Sequence, residues 1–151
     1  MSSLYCSVRK EWVAALPEEK VRQRILTQMI SELEFPSALV SVECALRRFP
    51  HLNPAERVKV PDRRVDIVCF AKGTTCGQLY PLLVIECKAV KLTAKVVNQV
   101  LGYNHFMRAR FIAIANEKEF RLGWFDPLQE KYVFIDFLPD YHALVGAFQN
   151  P

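Results

Sequence analysis

Val21, Ile25, Met29 and Leu33 recur at every fourth position, with Leu26 and Ile30 beside them. That spacing lays apolar side chains along one stripe of a helix. Pro17 suits a first helical turn, and Glu18 and Glu19 complement the positive end of the helix dipole. Pro36 disfavours helical backbone just before it. A helix is therefore predicted over residues 17–34. Residues 39–46 mix apolar side chains with Ser41 and Glu43, the pattern of a half-buried strand. Residues 47–61 carry three prolines and read as a loop. Residues 65–70 and 82–87 are short apolar runs that read as strands, separated by a turn region over 72–78 with two glycines. Leu92, Val96, Gln99, Val100 and Tyr103 fall near one face of a helix over 91–107. Strands follow at 111–115, 120–125 and 132–137, then a short helix over 141–148.

The order is helix, three strands, helix, strand, then a tail of strands. A helix between the strands at 82–87 and 111–115 implies a right-handed crossover and parallel pairing of those two. The fold class is α/β: a mixed β-sheet flanked by helices with an αβββαβ core. At 151 residues, with about half of them apolar, the chain suits one domain over 1–151, its core at about 17–137. No repeat or linker suggests another. Tyr5, Trp12 and Trp124 read as packing residues.

Five cysteines in no zinc or redox spacing, two of them (Cys69 and Cys87) inside apolar runs, favour a reducing cytoplasm. Residues 1–10 lack the apolar run of a signal peptide. No stretch is long and apolar enough to span a membrane. A net charge of +4 permits a polyanionic partner without demanding one.

The informative feature is where charge interrupts the apolar strands. Asp66 lies in Val65-Asp66-Ile67-Val68, and Glu86 and Lys88 end Leu83-Val84-Ile85-Glu86-Cys87-Lys88. A carboxylate in a covered strand costs several kcal/mol in order of magnitude unless something neutralises it. Positions 86 and 88 differ by two and share a face. If the strands are neighbours, two acids and a lysine converge. A hard dication such as Mg²⁺ would satisfy both carboxylates, and the lysine would orient or deprotonate the attacking water or stabilise charge at phosphorus. Taken alone, Glu-x-Lys favours a plain ion pair at a strand end, because short motifs recur by chance. Gln99 and Tyr103, four apart on the next helix, add groups suited to phosphate, water or a base. The combination, in this order and on these elements, favours the metal site.

Asp66, Glu86-Cys87-Lys88 and Gln99-Val100-Leu101-Gly102-Tyr103 resemble the PD-(D/E)xK nuclease superfamily with its Gln-x-x-x-Tyr helix. More closely, the chain is similar to the N-terminal nuclease domain of type I restriction enzyme R subunits. Pro17-Glu18-Glu19-Lys20-Val21-Arg22-Gln23 and Arg64-Val65-Asp66-Ile67-Val68 add to the match, which covers about residues 17–125. The resemblance implies a restriction-endonuclease-like fold and Mg²⁺-dependent hydrolysis of DNA that leaves a 5′-phosphate, with Mn²⁺ able to substitute. Asp66, Glu86 and the Cys87 backbone carbonyl would hold metal, Lys88 would be the catalytic lysine, and Gln99 would complete the catalytic set. Tyr103, Arg64, Lys91 and Lys95 would support the site or the DNA. Glu19 would approach the metal through water or simply complement the helix dipole; the two readings stand level. Arg63, Lys72, Arg108 and Arg110 also flank the site in sequence and could grip phosphates.

Two departures matter. Val65, not proline, precedes Asp66, while a literal Pro61-Asp62 sits four residues earlier; Asp66 is preferred because an apolar strand follows it directly. The 151 residues also contain no Gly-x-x-x-x-Gly-Lys-Ser/Thr phosphate loop. A motor or specificity protein acting in trans, or the chain's own basic surface, would then place it on DNA, and a homodimer is compatible with the resemblance. The competing expectation is a catalytically silent nucleic-acid-binding or assembly module of the same fold.

Overall fold

In a computed structural model, residues 2–73 and 77–149 are described. The turn expected over 72–78, with Cys76 in it, lies partly outside them. The chain opens with a two-stranded antiparallel hairpin, β1 (Ser3–Cys6) and β2 (Glu11–Ala14). Helix α1 (Pro17–Ser31) follows, then β3 (Val40–Ala45), a four-residue helical turn α2 (Pro54–Arg57), β4 (Arg64–Lys72) and β5 (Leu79–Cys87). Helix α3 (Ala94–Met107) leads to β6 (Phe111–Ala115), β7 (Phe120–Asp126), β8 (Lys131–Ile135) and the closing helix α4 (Tyr141–Gln149).

Strands β3 to β8 form one sheet in sequence order. The β5–β6 pair is parallel and every other pair antiparallel. The expected αβββαβ core and its parallel crossover through α3 are therefore present. Alternation along the strands divides the core between two faces. Val21, Ile25, Leu26 and Met29 of α1 pack with Ile67, Cys69, Ile85 and Ala113 on one face, joined by Leu144 of α4. Val97, Val100 and Met107 of α3 pack with Val68, Val84, Ile112 and Ile114 on the other.

Sequence expectations and structure differ at several element ends, for identifiable reasons. Helix α1 stops at Ser31, well short of Pro36; Glu34 takes a left-handed backbone (φ 59°) and the Phe35 N–H donates to the Met29 carbonyl. Helix α3 starts at Ala94, because the Thr93 hydroxyl accepts from the Val96 N–H and caps the helix. The stretch expected as loop holds α2, closed by a reciprocal Asn53–Glu56 capping box. Strand β8 ends at Ile135 and leaves Phe137 exposed. The hairpin was not expected at all. Its Tyr5 and Trp12 are 51% and 69% exposed and contact each other edge to face, so they are not core packing residues. Trp124 does pack, against Phe111.

Met29 is fully buried beneath α1. Met29→Ala should lower the unfolding free energy by about 2–5 kcal/mol in urea denaturation. Leu33→Ala, at the partly buried helix exit, should cost far less; equal losses would contradict the burial pattern.

Candidate active site

One end of the sheet gathers the charge. Because β4 and β5 are antiparallel, the start of β4 and the end of β5 lie side by side, and the end of β3 lies beside them. The β4–β5 ladder runs only as far as Ile67–Ile85 at this end. Beyond it the Asp66 carboxylate takes the place of a ladder carbonyl: its Oδ2 accepts from the Cys87 N–H at 2.8 Å. A side chain thus closes the gap where the strands part, and this fixes the carboxylate against β5.

The Glu86 side chain is only 5% exposed and lies within hydrogen-bonding reach of Asp66. Burial, then the Asp66 charge, push the Glu86 carboxyl up from 4.5 to about 8, against the pull of Arg63 and Lys88. The Asp62 side chain of the literal Pro61-Asp62, by contrast, is 92% exposed and pairs with Arg47.

Three arginines surround the acids. Arg22 of α1 donates from Nη2 to Asp66 Oδ1 at 2.7 Å and from Nη1 to both oxygens of Glu19 at 3.2 Å and to Glu43 at 3.5 Å. Arg9, from the hairpin tip, pairs with Glu19 and reaches Glu43 at 3.8 Å. Arg63 pairs with Glu86 at 3.3 Å and stacks over the Tyr103 ring, 3.9 Å from its centroid. Tyr103 thus holds the Arg63 guanidinium beside Glu86. Glu19 is almost buried and held by both Arg9 and Arg22, which is more than dipole complementation.

Lys88 follows β5, and its backbone N–H donates to the Ala115 carbonyl. Its charge acts on Glu86, yet among the described residues the ammonium forms no hydrogen bond or close ion pair. It lines a hollow of about 450 Å³ with Pro17, Lys20, Val21 and Arg24 of α1, Ala89 and Glu117. Gln99 is exposed one turn before Tyr103 and is not bonded to the carboxylates. Arg64, Lys91 and Lys95 are exposed near this end of the sheet. Of the other flanking cations, Arg108 pairs with Glu56, and Arg110 lies 5.3 Å from the Tyr80 ring centroid.

A family model for the type I restriction enzyme R protein N terminus (HSDR_N) matches residues 17–139. The chain belongs to that family. No curated protein and no solved structure matches it significantly. The HSDR_N match contains Asp66, Glu86, Lys88, Gln99 and Tyr103 and begins at α1, so the hairpin that carries Arg9 lies outside it. Membership points to a nuclease-type module, and the sheet and its helices are compatible with a restriction-endonuclease-like fold.

Arg9, Arg22 and Arg63 are the site residues that sequence reasoning did not single out as partners of the acids. Arg22 lies three residues after Glu19 at the start of α1, a spacing that brings side chains together on a helix. Nothing in the local sequence marks Arg9. Among the described residues no helix is long and apolar enough to cross a membrane. Cys6, Cys44, Cys69 and Cys87 are free thiols, and burial pushes Cys69 up to about 12, so it behaves as a core hydrophobe.

The Glu86 shift has a sign. In the folded chain the carboxyl keeps a proton that the unfolded chain gives up above about 4.5. Its contribution to stability is full below that pH and is lost as pH rises to about 8. In chelating buffer, Glu86→Gln should flatten the decline in unfolding free energy across this window; an unchanged slope would contradict the shift. Arg22→Ala leaves Asp66 and Glu19 short of a cation and should cost about 3 kcal/mol in the same assay.

Proposed function

We propose that this HSDR_N module hydrolyses DNA phosphodiester bonds with Mg²⁺, Asp66 and Glu86 holding the ion and Lys88 acting as the catalytic lysine. The observation that carries this reading is the pair of neighbouring carboxylates at one sheet end, Asp66 fixed by the Cys87 N–H and Glu86 buried within its reach. A protein core tolerates such a pair only with a proton or a cation between them. The donors are all oxygen, which suits a hard dication. Among the described residues no group of three or more His, Cys, Asp or Glu side chains is arranged to cage a metal. Mg²⁺ held by two carboxylates would keep several waters and take substrate phosphate as a further ligand. The Cys87 backbone carbonyl is a candidate further ligand, since its own N–H is already bonded to Asp66.

Bound Mg²⁺ would polarise the scissile phosphate and make the attacking water more acidic. The chain's own residues do the rest. Asp66 is held rigid by the Cys87 N–H and Arg22, so its orientation is set before substrate arrives. Arg22 bonds Asp66 where the ion would compete for it, which would lower metal affinity while compensating the carboxylate without an ion. Arg63, pinned by Tyr103, keeps the same balance at Glu86. Lys88, whose charge acts on Glu86, would orient the attacking water or balance charge gathering on the phosphate oxygens. Glu19 is engaged by arginines, so any role at the metal would be indirect, through water. Basic side chains near the site, Arg64, Lys91 and Lys95 among them, supply phosphate contacts. A motor or specificity protein, or the chain's own basic surface, would place the module on DNA.

Incubation of the chain with supercoiled plasmid in Mg²⁺ or Mn²⁺ should give nicked or linear products. Asp66→Ala and Lys88→Ala should each reduce the rate by about 100-fold or more. Cleavage by both variants at the wild-type rate, or none by wild type with either metal, would discard the nuclease reading. Salt-sensitive DNA binding indifferent to metal and to Lys88→Ala would instead mark a silent binding module.

A further inference from the structure

We infer that the N-terminal hairpin and α1 form a track for single-stranded DNA leading to Lys88, with Trp12 and Tyr5 as its base-stacking platform. This rests on the nuclease reading above and names the form of substrate that the site would take.

Trp12 and Tyr5 face each other across the hairpin as a direct cross-strand pair, ring centroids 5.5 Å apart at 61°. Both are largely exposed, and neither belongs to either core cluster. The hairpin that presents them is nonetheless firmly held. Cys6 is fully buried, Arg9 is tied to Glu19 on α1, and the Ala15 N–H donates to the Ser2 carbonyl. Two large aromatic rings thus stand in water on a rigid mount, an arrangement that suits stacking of unpaired bases.

From this pair a path leads to the candidate catalytic lysine. Tyr5 lines a hollow of about 600 Å³ together with Lys20 and Arg24. The same Lys20 and Arg24 line the hollow that holds Lys88, so the two adjoin. Arg24 is fixed by donating to the Asn116 and Glu117 carbonyls, bonds that hold its position and leave its charge uncancelled. Lys20 is exposed and has no acidic partner among the described residues. These three cations outnumber the two acids of the hollows, Glu32 and Glu117. Cations alone would hold any nucleic acid through its phosphates. The exposed rings add the preference, because a duplex keeps its base faces stacked inside and a single strand offers them.

Anisotropy of fluorescein-labelled oligo(dT) in chelating buffer tests the track, since binding is then read whether or not the protein cuts. Plasmid cleavage compared with Asp66→Ala reads the nuclease whether or not the track exists. Trp12→Ala should weaken oligo(dT) binding by about tenfold and leave a duplex of equal length within about twofold. Phe137→Ala, an exposed aromatic outside the track, should leave both unchanged. In a Trp124→Phe background, oligo(dT) should quench the emission of the remaining Trp12. Unaltered oligo(dT) affinity in Trp12→Ala, an equal loss on duplex, or tighter binding of oligo(U) than of oligo(dT) would overturn the assignment.

Discussion

The site depends on one arrangement: the Asp66 carboxylate, held by the Cys87 N–H where β4 and β5 part, lies against the buried carboxyl of Glu86. Two acids this close and this dry cannot both be charged without a compensating cation. The chain meets that constraint with arginines delivered from three directions. Arg22 comes from the helix in front, Arg9 from the hairpin and Arg63 from the approach to β4. The sheet end can therefore fold around four acidic side chains without an ion, and the proposed dication would take over that compensation at the acid pair.

Much of this was legible in the sequence. The period-four stripe of α1 and the apolar runs of β4, β5 and β6 are strong signals because burial on one or both faces dictates them. The crossover through α3 then forces the β5–β6 pair to be parallel. Asp66 and Glu86 stood out for the same reason, as charges inside runs that would otherwise be wholly apolar. The element ends were less legible. The Thr93 cap and the left-handed exit at Glu34 are local backbone choices that leave little trace in a hydrophobic pattern.

The arginine partners were legible only in part. Arg22 sits one helical turn from Glu19, but its bond to Asp66 spans 44 residues and depends on how α1 crosses the sheet. Arg9 depends on a hairpin of two four-residue strands, too short for alternation to announce it. Tyr103 was expected to touch DNA or the site; it reaches the site through Arg63, a long-range contact that spacing along α3 could not disclose. The exposure of Trp12 was likewise misread, since an aromatic in a short hairpin looks the same in sequence whether it is buried or displayed.

The family gives the chain a nuclease-type heritage, and the proposal assigns its chemistry to the acid pair. Mn²⁺ binding, read by electron paramagnetic resonance on the intact chain and on Asp66→Asn, tests the connection between them most directly. The account predicts one bound ion per chain in the wild type and loss of that ion in the variant. Equal binding by both proteins, or none by the wild type, would contradict it.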